Sequence, residues 1–341
     1  MRIAVIGAGA VGGTLAALLD RAGHDVEVTA RGENLAAIKE QGLRLDGGWG
    51  EHVAHIEAHE TLAWIGAPQP DLAILATKAQ DAAAALRANR EVLGTVPLLV
   101  AQNGLGGLEV ARSVLQESPL LGGLALFAAS YLEPGRVTVT APLPLIVGAG
   151  PGTSDELLES IVTVLRGALP IEVTDDIVGA QWTKLLINHV NALPAITGLS
   201  VQQVIADAGL RKVMTASMRE TVRVARQLGI RFGRVQGVNG RVLGAIGSAP
   251  LAFGAWFPRV LGSRMGSVPN PGSTLQSITR GQLTEIDFLN GAVVEAAKDG
   301  GVAAPINQQI VDLVHEVERT GSFLTPAEVI ARVKVECIVM L

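Results

Sequence analysis

Lys184, Asn188 and Asn191 stand at i, i+4 and i+7 in the segment Trp182-Thr183-Lys184-Leu185-Leu186-Ile187-Asn188-His189-Val190-Asn191, whose other residues are mostly apolar. On a helix that spacing puts all three polar groups on one face. A polar stripe on an apolar helix needs partners, supplied either by a ligand in a cleft or by backbone groups of a neighbouring domain. A second constellation follows, Asn270-Pro271-Gly272-Ser273 and then Thr284-Glu285-Ile286-Asp287. Ser273 reads either as the cap of the next helix or as a ligand-facing hydroxyl. Glu285 is either a site carboxylate or an ordinary surface acid.

A different chemistry is written at the start of the chain. Gly7-Ala8-Gly9-Ala10-Val11-Gly12 is a G-x-G-x-x-G pattern between an apolar run and a helical one. There the glycines permit a tight turn and a close approach of backbone to a pyrophosphate, whose charge sits on unpaired N–H groups at the positive end of the helix. An acid at the end of the second strand would hold the ribose 2′-hydroxyl of NAD, but the sequence reads Thr29-Ala30-Arg31-Gly32. Arg31 offers a 2′-phosphate a planar, permanently charged fork, so NADPH is the expected cofactor. Lys78 and Asn103 follow later strands, the first as a second cation and the second as an amide for the nicotinamide end.

These groups require a sheet edge and a helical partner. Residues 2–7, 25–29, 72–77 and 98–101 read as strands, with helices at 11–22, 79–92 and 107–115. The alternation implies a parallel sheet. Turn-separated strands at 124–147 suggest an added sheet edge, and Thr153 with Glu156 a capping box. Beyond the short strand 171–173 the pattern is helical, at 177–196, 201–228, 278–297 and 306–318, with a Gly- and Pro-rich interruption at 244–272 and a last capped helix opening at Thr325. The expected organisation is α/β, an NADP-binding, Rossmann-like doubly wound domain over 1–175 followed by an all-α substrate and catalytic domain over 176–341, with a cleft between them.

Composition narrows the partners. The 341 residues are 48% hydrophobic and 17% charged, which describes a globular chain, and the net charge of −5 with no run of Lys or Arg argues against nucleic acid. No apolar stretch reaches the roughly 20 residues of a membrane-spanning helix. One cysteine, Cys337, allows no intrachain disulfide, and the expected location is the cytoplasm. His52, His55 and His59 lie close in sequence but lack cysteine companions, so no metal is expected.

Taken in order, the glycine loop, Arg31, Lys78, Gln102-Asn103-Gly104, the Lys184 helix, Ser273 and Thr284-Glu285-Ile286-Asp287 resemble the ketopantoate reductases over residues 1–318. The resemblance implies a lysine general acid at Lys184 and substrate-holding groups at Asn188, Asn191 and Ser273, with Asn270 in the substrate loop. It implies cofactor contacts at Asn103, Ala129 and Glu285. The substrate is then a small 2-keto acid, reduced by hydride while the Lys184 ammonium delivers a proton to the developing alkoxide. Leu251, Phe253, Trp256 and Phe257 would form an apolar wall of its pocket. Asn191 follows Lys184 by seven residues where familiar members have eight, Ser277 replaces a common acid, and 244–272 looks enlarged. Reductases of other branched or aromatic 2-keto acids, opine-type dehydrogenases and a non-catalytic NADPH sensor share parts of this pattern, and a homodimer is left open.

Overall fold

The computed structural model describes residues 1–64, 68–238, 240–248, 254–263 and 269–335. The chain divides into two compact units, Met1–Ile177 and Val178–Leu341.

The first unit is built on an eight-stranded sheet of order β12-β11-β8-β7-β6-β1-β2-β5. Its strands are β1 (Arg2–Ile6), β2 (Asp25–Thr29), β5 (Glu57–His59), β6 (Leu72–Leu75), β7 (Leu98–Val100), β8 (Leu120–Ala125), β11 (Leu145–Ala149) and β12 (Ile171–Thr174). All neighbours are parallel except β8 and β11. Leu72, Ala73, Ile74 and Leu75 are wholly buried, as are Ile3 to Ile6, because strands covered on both faces must be apolar throughout. The chain runs from β1 to β2 and β5 on one side, then to β6, β7 and β8 on the other. That reversal marks the sheet edge where open α/β folds bind ligands. Ile6 is level with Thr29 and Leu75, and Leu75 with Val100, so β1, β2, β6 and β7 end in line.

A second sheet, β4-β3-β10-β9, covers the helix Ala10–Arg21. It contains β3 (Leu43–Gly47), β4 (His52–Ala54), β9 (Ala128–Glu133) and β10 (Arg136–Ala141). The segment expected to extend the main sheet is therefore divided. β8 and β11 join that sheet, while the β9–β10 hairpin leaves it to pair with β3. The reason is packing: Val137 and Val139 are buried, and Val137 lies against the helix where Gly13 has no Cβ to hold it off. The helix expected at 79–92 breaks into Ala79–Asp81, Ala82–Ala88 and Arg90–Leu93. Ser154, not Thr153, caps the helix Asp155–Arg166, accepting from the Leu157 N–H, while the Thr153 hydroxyl donates to the Leu120 carbonyl.

Among its described residues the second unit has helices and connecting turns, with an isolated bridge between Val235 and Val238. The helix expected over 177–196 runs as Ile177–Asn188, a 3₁₀ turn His189–Asn191 and Ala192–Thr197. Asp207 caps the helix Ala208–Gln227 through the Leu210 N–H and so interrupts the run expected at 201–228. The run at 278–297 is likewise broken, into Gly272–Thr279, a 3₁₀ turn Ile286–Phe288 and Asn290–Asp299. The capping box of Thr325 and Glu328 is present. Inside the core, the Glu220 carboxylate receives the N–H groups of Ile306 and Asn307 at the start of the helix Pro305–Thr320, and Asn290 bonds Ser217 and Asn307. Among the described residues no helix is long and apolar enough to cross a membrane.

Candidate active site

At the aligned strand ends of the first unit, the glycine loop is tied down from two sides. The Gly7 N–H donates to the Thr29 hydroxyl at 2.9 Å and the Ala8 N–H to the Thr29 carbonyl at 2.9 Å. Asn34 donates to the Ala8 carbonyl at 2.9 Å and accepts from Gly135 N–H at 2.8 Å, which joins the loop to the β9–β10 turn. Gly9 precedes the helix Ala10–Arg21, and no side chain caps that helix. Among the described residues, and apart from Gly9 and its chain neighbours, no atom lies within 4 Å of where a Cβ on Gly9 would stand. Uncapped N–H groups facing open space at a helix start fit a pyrophosphate.

Arg31 is exposed just after β2 and begins the helix Gly32–Gln41; Lys78 and Asn103 are half-buried after β6 and β7. All three therefore share the edge of the glycine loop. Gln102 is buried, and its amide donates to the Thr77 carbonyl at 2.8 Å, so it braces two strand exits. Ala129 lies on β9, opposite Val139. The anchors Thr29 and Asn34 were not singled out from sequence. Thr29 reads as a strand residue, and Asn34 shows its purpose only through contacts distant in sequence. Asn34→Ala should weaken dinucleotide binding by about 3- to 10-fold, the equivalent of one net hydrogen bond of about 1 kcal/mol, with little change at the substrate side. Fluorescence titration of the variant checks this.

In the second unit, the lysine helix and the turn after it bury residues 181–183, 185, 186, 189 and 190 but leave Lys184, Ile187, Asn188 and Asn191 half-buried. That pattern, i, i+3, i+4 and i+7, is an open stripe on the otherwise covered segment 181–191. Asn191 belongs to the 3₁₀ turn rather than to the regular helix, a correction to the expected geometry. Its Oδ1 lies 2.6 Å from where a Cβ on Gly272 would stand, so glycine allows the 270–273 turn to close on it. The Asn270 Oδ1 accepts from the Gly272 N–H at 2.8 Å and the Asn270 carbonyl from Val201 N–H at 2.8 Å, which shape that turn. Ser273 is exposed in the first turn of the helix Gly272–Thr279; the N-cap is Pro271, so the capping role fails.

Glu285 is half-buried in the segment leading to the turn Ile286–Phe288, not on a long helix. Burial pushes the Lys184 ammonium down to about 8, against the raising effect of the Glu285 carboxylate. Part of the lysine keeps its surface, yet its charged end is poorly hydrated. A lysine held there is poised to give up a proton near neutral pH. His189, next to Asn188, is buried with its Nε2 2.6 Å from the Thr221 hydroxyl, and burial lowers it to about 4. It is a neutral packing residue.

Of the expected apolar wall, Phe257 is buried in the helical core and Trp256 is 43% exposed. Leu251, Phe253 and Cys337 lie outside the described residues. His52 pairs with Asp20 at 2.7 Å and His59 with Glu57 at 3.4 Å. Among the described residues no group of three His, Cys, Asp or Glu is arranged to hold a metal ion.

The family description "Ketopantoate reductase PanE/ApbA" matches residues 3–152, and its C-terminal counterpart matches 176–318. A 2-dehydropantoate 2-reductase of Pyrococcus horikoshii is 30% identical over 323 residues, covering 94% of this chain and 99% of that protein. One from Mesorhizobium japonicum is 29% identical, covering 93% and 98%. The crystal structure of a PanE/ApbA family ketopantoate reductase from Ralstonia eutropha superposes with a TM-score of 0.80 at 28% identity, over 94% of this chain and 99% of that one. A D-mandelate dehydrogenase, solved with NADH and anilino(oxo)acetate, shares the fold with a TM-score of 0.80 at 23% identity, over 94% and 99%. Matched in both units and across nearly its whole length, the chain belongs to the ketopantoate reductase family of oxidoreductases acting on CH–OH groups.

Proposed function

We propose that this chain reduces 2-dehydropantoate (ketopantoate) to pantoate with NADPH, as in pantothenate biosynthesis. The observation that carries the reading is Lys184, a half-buried lysine whose ammonium is held at about 8 by burial against the raising effect of Glu285, on the open stripe with Asn188 and Asn191. The nicotinamide, when bound, supplies hydride to the keto carbon. As the C=O π pair moves onto oxygen, Lys184 hydrogen-bonds that oxygen and transfers its proton, leaving a neutral amine and an alcohol. Asn188, Asn191 and Ser273 hold the substrate, with Asn270 shaping the turn that carries Ser273. Gly7, Ala8, Gly9, Ala10, Val11 and Gly12 carry the pyrophosphate, and Asn103, Ala129 and Glu285 contact the rest of the cofactor. The reading puts the reaction in the cytoplasm, by a monomer or a homodimer.

The substrate is tested by NADPH oxidation with ketopantoate and with 3,3-dimethyl-2-oxobutanoate, which lacks only the hydroxymethyl oxygen. Polar groups waiting for that hydroxyl are costly to leave unpaired, so kcat/KM should favour ketopantoate by well over about 10-fold. A ratio near one would assign the site to another 2-keto acid.

Arg31 and Lys78 support NADPH over NADH. Arg31→Ala should raise the KM for NADPH by about 10- to 100-fold, the range of a charge-assisted contact of about 1.5 to 3 kcal/mol, and leave the KM for NADH nearly unchanged. Equal effects on both cofactors would reject the 2′-phosphate assignment.

A further inference from the structure

We propose that His315 is a positioning residue, which by bridging the carboxylates of Asp287 and Glu318 clamps the turn on both sides of Glu285 and fixes the place from which that carboxylate acts on Lys184. The inference rests on the reading of Lys184 and Glu285 given above. Glu285 has no regular helix to hold it. The 3₁₀ turn beside it is a single turn, Ile286–Phe288, closed by the Phe288 N–H on the Glu285 carbonyl at 3.0 Å. What orders the segment comes from the helix Pro305–Thr320. Glu318 Oε1 accepts from the Thr284 N–H at 2.7 Å, and Glu318 Oε2 lies 2.7 Å from His315 Nδ1. His315 Nε2 lies 2.9 Å from Asp287 Oδ1. Thr284, through Glu318, and Asp287, directly, are thus tied to one imidazole, and Glu285 lies between them in the chain.

The clamp needs a cation. A neutral imidazole donates from one nitrogen only, so both carboxylates are satisfied when both nitrogens carry protons. Partial burial works against that charge, but the hydrogen bonds and charges of Glu318, on its own helix, and Asp287, on the facing turn, prevail and raise the His315 pKa above its ordinary value. The Glu318 side chain is only 10% exposed, so water competes weakly for its half of the bridge. With a folded pKa above the unfolded one, the clamp is complete below the ordinary histidine value and loosens as pH rises through the raised one.

The test reads the Lys184 ammonium directly, by NMR titration of isotope-labelled lysine, with the signal assigned by its loss in Lys184→Arg. Glu285→Gln should lower the Lys184 pKa, since the carboxylate raises it. His315→Gln should lower it in the same direction, by a tenfold or smaller change in the protonation constant, and add nothing in the Glu285→Gln background. His315→Arg, a permanent cation with several donors, should restore the wild-type value. The sign is decisive, because losing a nearby cation without losing position would raise the Lys184 pKa. An unchanged or raised value in His315→Gln, or a shift that persists without Glu285, overturns the clamp. If His315→Gln does not fold, Asp287→Asn opens one side of the bridge and is read in the same way. No turnover is needed, so active Lys184→Ala would remove the general-acid assignment while the titration still judged the clamp.

Discussion

Lys184→Ala is expected to keep dinucleotide binding and lose about 10²- to 10⁴-fold in turnover, the usual contribution of a positioned proton donor. In the proposed mechanism the protonated amine is the acid, so keto-acid reduction should fall as pH rises through about 8, where burial holds this group. Lys184→Arg divides the two services of the ammonium. The guanidinium retains attraction for a carboxylate but gives up no proton near neutral pH, so KM should be largely preserved while kcat falls and its limb near that pH vanishes. Stability separates catalysis from folding. A lysine whose folded pKa lies below the unfolded one binds fewer protons when folded, so stability rises with pH between about 8 and the ordinary value of 10.5. The charged form is thus a burden at neutral pH, and Lys184→Met should unfold no lower than the wild type. Turnover near normal in a folded Lys184→Ala would remove the lysine from the mechanism.

The parts of this site that could be read from sequence are those whose signal is local. The glycine loop needs a strand before it and a helix after it, and both flanks lie within 21 residues of the start. The polar stripe from Lys184 announces itself because its neighbours are apolar. Assembly was not legible where partners are remote. Nothing in Arg136-Val137-Thr138-Val139-Thr140 says that β10 leaves the main sheet to pair with β3, since period-2 alternation specifies a buried face and not which strand it meets. Periodicity also overran the helix ends at 206–208 and 279–290, where Asp207 and the Arg280-Gly281 turn break the backbone pattern while apolar spacing continues. The buried cluster of Ser217, Glu220, Asn290 and Asn307 was invisible for the same reason, each residue being unremarkable until the others are beside it. His315 belongs to that class. On its own helix it is a half-exposed histidine, and its bearing on Glu285 exists only across 30 residues of chain.

Gly12→Ala and Gly9→Ala should fail in opposite ways, although both alter the same loop by one methyl group. A Cβ on Gly12 would collide with the carbonyl oxygen of Gly7 and lie 2.9 Å from the Ala76 Cβ. Neither contact can yield cheaply: Gly7 is held at φ +101° with its N–H on Thr29, and Ala76 begins the exit of β6. The helix would have to move off the sheet, opening the packing of Leu15, Leu18 and Leu19, all but completely buried. Gly12→Ala is therefore expected to cost about 1 to 3 kcal/mol or more, lowering Tm by several degrees whether or not a dinucleotide is present. A Cβ on Gly9 meets no other described residue beyond its chain neighbours within 4 Å, and its φ of −82° suits alanine. Gly9→Ala should unfold within about 1 kcal/mol of the wild type, yet weaken NADPH binding by about 10-fold or more, because on the proposed reading the methyl takes the space that the pyrophosphate enters. Thermal unfolding of both variants with and without NADPH reads the difference: the nucleotide should raise the Tm of wild type clearly and that of Gly9→Ala little. A Gly9→Ala protein that binds NADPH as tightly as wild type would move the pyrophosphate away from this helix start.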